Sequence, residues 1–181
     1  MQQVRYSGVA MLLHWAIAIA VIVNWRIAEY GEHLPDAQRV EVMSNHMAVG
    51  VMILVLVLLR LGWRIYSPPP PLSAHIGGWE RILARTVHTL FYVLLIVMPL
   101  AGWVAMSSFG FGVNVWGLFE LPALPVSQSP DRGEAIFEAH AVAGTILLAL
   151  VAIHILGALK HTLIDKDGNL FRMLPFGTPK A

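Results

Sequence analysis

Eight histidines and no cysteine define what this chain can coordinate. Without thiols, iron–sulfur clusters, disulfides and covalent heme attachment are excluded, and imidazole is left as the main soft ligand. Three of the histidines interrupt one apolar stretch, Phe137 to His161, read FEAHAVAGTILLALVAIHILGALKH. His140, His154 and His161 follow at steps of 14 and 7 residues, and at about 100° per residue both steps keep them on one helical face. His140 and His154 then lie ~21 Å apart along the axis. The stretch is charge-free for 21 residues, Ala139 to Leu159, enough to cross a ~30 Å hydrocarbon layer as a helix. Imidazoles at that depth are costly unless something binds them, so a metal or a heme iron is the partner this pattern calls for.

Positioning these side chains requires further helices, and the composition supplies them. The chain is 57% hydrophobic and 13% charged over 181 residues, room for a single membrane domain, 1–181, and no separate soluble one. Charge-free runs predict four spans near 6–26, 42–63, 82–106 and 138–160, the first uncleaved, carrying in turn His14, His46, His88 and the His140/His154 pair. The expected fold is all-α, an integral membrane four-helix bundle running up-down-up-down. Residues 26–41, with six charged side chains, Gly31 and Pro35, read as a polar loop. Trp63 and Tyr66 flank the second span as interface anchors, and Ser67 and the four prolines after it read as a stiff connector. Pro99 is expected to kink the third span. Residues 107–125, SSFGFGVNVWGLFELPALP, suit a re-entrant or interface-lying segment. Residues 164–181 are expected to form a polar tail ending in solvent.

Basic residues set the orientation. One side collects Arg5, Arg60, Arg64, Arg81, Arg85, Lys160, Lys166, Arg172 and Lys180, the other only Arg26, Arg39 and Arg132. That asymmetry places both termini in the cytoplasm. Eight acids share the outer connections with those three arginines, so the outer surface is net acidic and should repel anions.

In such a bundle His46 and His140 fall near the outer face, while His14, His88 and His154 fall toward the inner half. A porphyrin lying along a helix needs clearance one turn from its ligand. His46 has Gly50 at that place, His140 has Gly144, His14 has Ala18 and His154 has Ala158, whereas His88 has Tyr92 and His161 has Asp165. Small residues also let membrane helices approach closely, but four such neighbours in two layers point to two bis-histidine b hemes, His46 with His140 outside and His14 with His154 inside. His33 and His75 read as solvated loop residues, and the methionines as gap-filling core. His88 and His161, with Arg85 and Lys160 near them in sequence, suit a quinone headgroup, which needs hydrogen-bond donors and a proton path.

The stretches RYSGVAMLLHW, His46-Met-Ala-Val-Gly followed by LVLLRLGWR, MPLAGW, and the His140/His154 helix running into KHTLIDKDGNLFRMLPF carry a resemblance over nearly the whole chain. The sequence resembles the bacterial cytochrome b561 family, small diheme membrane cytochromes that include superoxide oxidase. The resemblance implies an oxidoreductase of the bacterial inner membrane with two non-covalent b hemes on His14, His46, His140 and His154, passing electrons between an outer-face donor or acceptor and ubiquinone near the inner heme. Superoxide or a periplasmic redox protein would be the outer partner, and the acidic outer loops depart from what superoxide needs. Lipid surrounds the bundle, and no nucleic-acid partner is expected. The alternatives are a heme-bearing anchor subunit of a larger dehydrogenase and, in a different class, a histidine-lined metal or proton transporter, whose site would sit near the midplane.

Overall fold

The structure, a computed structural model, describes residues 5–71 and 77–178; His75 and Lys180 lie outside them. Four long helices dominate: α1 Gly8–Glu32, α2 Asp36–Tyr66, α3 Gly78–Ser108 and α4 Pro130–Leu163, each long and apolar enough to cross a membrane. The chain is a multi-pass membrane protein built as a four-helix bundle. Their outward faces carry exposed apolar side chains such as Leu12, Ile19, Val55, Leu59, Val97 and Leu156, a surface that lipid satisfies and water does not.

Local chemistry sets the helix ends. The Ser7 hydroxyl accepts from the Ala10 amide, 3.3 Å, and opens α1. Ser129 caps α4 in the same way, with Pro130 at the first helical position. The Gly77 amide donates to Glu80 Oε2, 3.1 Å, at the start of α3. α2 stops at Ser67 because the prolines that follow have no amide to continue the ladder.

Three expectations are corrected. The polar loop at 26–41 is helical on both sides of a break confined to residues 33–35, so α1 and α2 outrun their apolar runs. Hydropathy marks where lipid ends, whereas backbone hydrogen bonding ends at the turn; Gly31 permits that turn, since a Cβ there would lie 3.0 Å from Met43 Sδ. In a fold expected to be all-α, the segment read as re-entrant or interface-lying contains an antiparallel hairpin, β1 Val113–Val115 and β2 Phe119–Leu121, with Val113 and Val115 buried against α2 and Asn114 outside. Its turn uses positive φ at Trp116 and Gly117, and Asn114 Oδ1 accepts from the Gly117 amide, 2.8 Å. The tail does not end in solvent as far as residue 178: a 3₁₀ turn, Asn169–Met173, returns it across the bundle. Buried Arg172 donates to the Pro71 carbonyl, 2.6 Å, the Tyr6 amide donates to the Arg172 carbonyl, 3.1 Å, and Trp15 Nε1 donates to the Met173 carbonyl, 2.9 Å.

We call this the terminal end, and the opposite one the hairpin end. Between them α1 packs along α2, α2 along α3, and α3 along α4. The buried middle is Ile17, Ala20 and Val21 of α1, Val49, Ile53 and Val57 of α2, and Leu147 of α4, with Phe91, Leu94 and Met98 of α3 against it. Trp63 turns inward, its Nε1 donating to Ser7 Oγ at 2.8 Å, while Tyr66 stays exposed.

Candidate functional site

The long helices bring the histidines into two groups separated by that dry middle layer. At the hairpin end, His46 early in α2 meets His140 of α4, ring centroids 6.1 Å apart and planes at 74°. His46 Nδ1–H donates to the Asn24 carbonyl of α1, 3.1 Å, which fixes the ring and leaves the Nε2 lone pair available. His140 Nδ1 is buried without a hydrogen-bond partner among the described residues. A buried ring nitrogen with no partner is an unmet requirement for a ligand or proton acceptor.

At the terminal end, His14 of α1 and His154 of α4 repeat the spacing, 6.1 Å and 70°. A third imidazole joins them. His88 of α3 lies 5.3 Å from His154 at 87°, with Phe91 one turn on at 5.6 Å. His88 Nδ1–H donates to the Ala84 carbonyl, 2.6 Å, so its Nε2 is the unprotonated atom. Leu147, midway between His140 and His154 in sequence, sits in the buried layer dividing the groups.

Both 6.1 Å pairs fit one metal ion between two rings. Imidazoles coordinating an iron from opposite sides, each ring nitrogen ~2 Å from it, place their centroids about 6 Å apart. The small residues fit as well. A Cβ at Gly144 would come no closer than 3.8 Å to Met98 Cε, and at Gly50 no closer than 3.9 Å to Asn24 Nδ2. These are ordinary contacts, so close approach of protein to protein does not demand glycine at either place.

His161 stands apart from the histidine groups, in an ionic cluster where α3, α4 and the tail converge. Its Nδ1 pairs with Asp167 Oδ2 at 2.7 Å and Asp165 Oδ2 at 3.1 Å. Lys160 Nζ bridges Glu80 Oε1 and Asp165 Oδ2, 2.7 Å each. Arg85 is exposed on the first turns of α3. His33 is exposed, as read, with Nδ1 on the Glu29 carbonyl, 2.8 Å.

Sequence reasoning passed over Arg60, Asp165 and Asp167. Arg60 was counted only as a topology charge, yet it follows His46 by the same 14 residues that separate His140 from His154, a repeat that puts it on the ligand face of α2. The two aspartates lay in what read as a solvated tail.

The family described as prokaryotic cytochrome b561 matches residues 5–176. The chain is 27% identical to cytochrome b561 homolog 2 of Escherichia coli over 94% of its own length and 91% of that protein's. It is 25% identical to the probable superoxide oxidase CybB of Yersinia pestis, covering 94% and 96%. With cytochrome b562 of Cereibacter sphaeroides it shares 30% identity over 96% of this chain and 97% of the other. The chain belongs to the prokaryotic cytochrome b561 family. Its work is therefore membrane electron transfer of the b-type cytochrome kind, with heme b as the cofactor.

Proposed function

We propose that this protein holds two b hemes, one between His46 and His140 and one between His14 and His154, and connects a partner at the hairpin end to ubiquinone at the terminal end. The carrying observation is the twin pair: two imidazole couples at the same 6.1 Å separation, 14 residues apart on α4, with an apolar layer between. A transporter site at the midplane has no counterpart there, because Ile53, Val57 and Leu147 fill it. His14 suits the terminal-end ligand role better than His88, whose 5.3 Å approach to His154 is shorter than one iron between two rings requires.

Bound heme supplies reversible one-electron chemistry at its iron. The chain's own residues do the rest. The Asn24 carbonyl holds the tautomer of His46, and the buried layer keeps water from joining the two sites. Asp165 and Asp167 accept from His161 Nδ1 and hold its tautomer, which leaves Nε2 for a quinone, while His88 offers a second hydrogen-bonding ring, Arg85 supplies positive charge at that end and Lys160, paired with Glu80 and Asp165, ties α3 to α4. The basic asymmetry supports an orientation with both termini in the cytoplasm, the protein lying in a bacterial inner membrane.

Superoxide as the outer donor is the second reading, because one relative is named a probable superoxide oxidase. The hairpin end favours a soluble redox partner instead. Arg26 pairs with Glu29, and Arg39 and Arg132, bonded to neutral carbonyl and hydroxyl groups, are outnumbered by the acids of the outer connections, a surface that repels the anion. A reduced-minus-oxidised visible spectrum with heme quantitation tests the main reading: two b hemes per chain are expected, and a folded, colourless protein would overturn it.

A further inference from the structure

Arg60 sits six residues inside the end of α2 at Tyr66, ~9 Å along the axis. A side chain serving topology alone would extend toward the interface. Arg60 instead turns inward, its Nη1 donating to the Ala10 carbonyl of α1, 2.7 Å and half-buried. Ala10 lies one turn before His14 on α1, so this bond brings the guanidinium to the terminal-end histidine group. Among the described residues no carboxylate lies within ion-pair distance of it.

A charge at this depth is costly without a counter-charge, and most of the guanidinium's five donors have no acceptor among the described residues. A small cleft opens beside it between α1, α2 and α3, lined among others by Tyr6, Trp63, Arg64 and Tyr92. Arg64 lies over the Tyr92 ring, 5.9 Å from its centroid. Two guanidiniums and two phenols around one cleft suit a carboxylate, which Arg binds through paired, charge-assisted hydrogen bonds. At the hairpin end the guanidiniums are held otherwise, Arg26 by Glu29 and Arg132 by Ser108 and Ser127.

We propose that Arg60, backed by Arg64, binds the propionate carboxylates of the terminal-end heme and thereby fixes which way that porphyrin faces. This rests on the diheme reading. It gives α2 a role at both ends: an axial ligand at His46 and, 14 residues on, an anchor for the other porphyrin's acid groups.

The test loads apo-protein, in membranes from heme-deficient cells, with hemin or with its dimethyl ester, whose propionates are blocked. Arg60→Gln is expected to weaken terminal-end hemin binding about tenfold, while leaving hairpin-end heme in place as the folding control. With the dimethyl ester, parent and variant should bind alike. If Arg60→Gln loses both hemes, Arg60→Lys is compared with the two porphyrins, and the same contrast is expected in smaller size. An equal loss with both porphyrins, or no loss with hemin, overturns the proposal. So does phospholipid phosphate that copurifies with the parent and leaves with the variant while heme affinity holds, which would make the cleft a lipid-headgroup site. A chain that binds neither porphyrin overturns the diheme reading itself.

Discussion

The two ends of α4 present the same imidazole geometry in different surroundings. At the hairpin end, His46 and His140 meet among Asn24, Gly50, Gly102 and Gly144, with a backbone carbonyl as the nearest polar partner. At the terminal end, His14 and His154 meet with a third imidazole, an aromatic ring and a cation around them. Helical repetition explains the likeness, because a 14-residue step returns a side chain to nearly the same face. It does not explain the difference, which comes from the helices that pack on α4. On the proposed reading the repeat supplies the ligands, and the neighbours decide what each pair would exchange with, an electron alone at one end and an electron with a proton at the other.

The largest expected effect breaks the likeness itself. His46→Ala or His140→Ala should remove the hairpin-end heme and leave the other, and His14→Ala or His154→Ala should do the reverse. Heme per chain should fall by about half in each case, read by quantitation on folded protein. Loss of both hemes from every variant would show that the middle layer does not make the sites independent. Next in size, Gly144→Leu should lower hairpin-end heme content with the terminal-end heme retained, since a branched side chain would fill the space beside His140. Heme content equal to the parent's would show that no porphyrin packs there.

The likeness was legible in the sequence and the difference only in part. Counting residues between histidines inside apolar runs is reliable, because lipid leaves a helix as the economical solution for the backbone. The pairing by depth follows from the same count. The helix ends were less legible: residues 26–32 are charged yet continue α1, because charge ends contact with lipid without ending hydrogen bonding. The hairpin at 113–121 was hidden by its glycines and prolines, although Val-Asn-Val already alternates between buried and exposed faces. The tail's return was invisible because it depends on contacts across more than 100 residues, such as Arg172 with Pro71.

A smaller effect sharpens the difference between the ends. His161→Ala and Asp167→Asn should leave both heme spectra nearly unchanged, while slowing reoxidation of the reduced protein by ubiquinone at least tenfold, the low end for a positioned acid or base. His88→Ala should act in the same direction. If the terminal-end heme is lost in His88→Ala and kept in His14→Ala, the axial assignment belongs to α3. The orientation has its own check: a C-terminal reporter active only in the periplasm should stay silent, and strong activity would exchange the partners assigned to the two ends.

The smallest expected effect concerns what seals each end. Arg172 is only 5% exposed and donates to the Pro71 carbonyl, joining the tail to the connector between α2 and α3. Arg172→Leu removes that charge-assisted hydrogen bond, a loss of about 1.5–3 kcal/mol. The tail also holds Tyr6, just before the first helix, and Trp15 within it, so its loosening should reach His14 before it reaches His46. On slow heating, the terminal-end heme of Arg172→Leu should be released several degrees earlier than in the parent, with release of the hairpin-end heme unshifted. An equal shift at both ends would mean that the bundle melts as one unit and that the tail secures the whole domain.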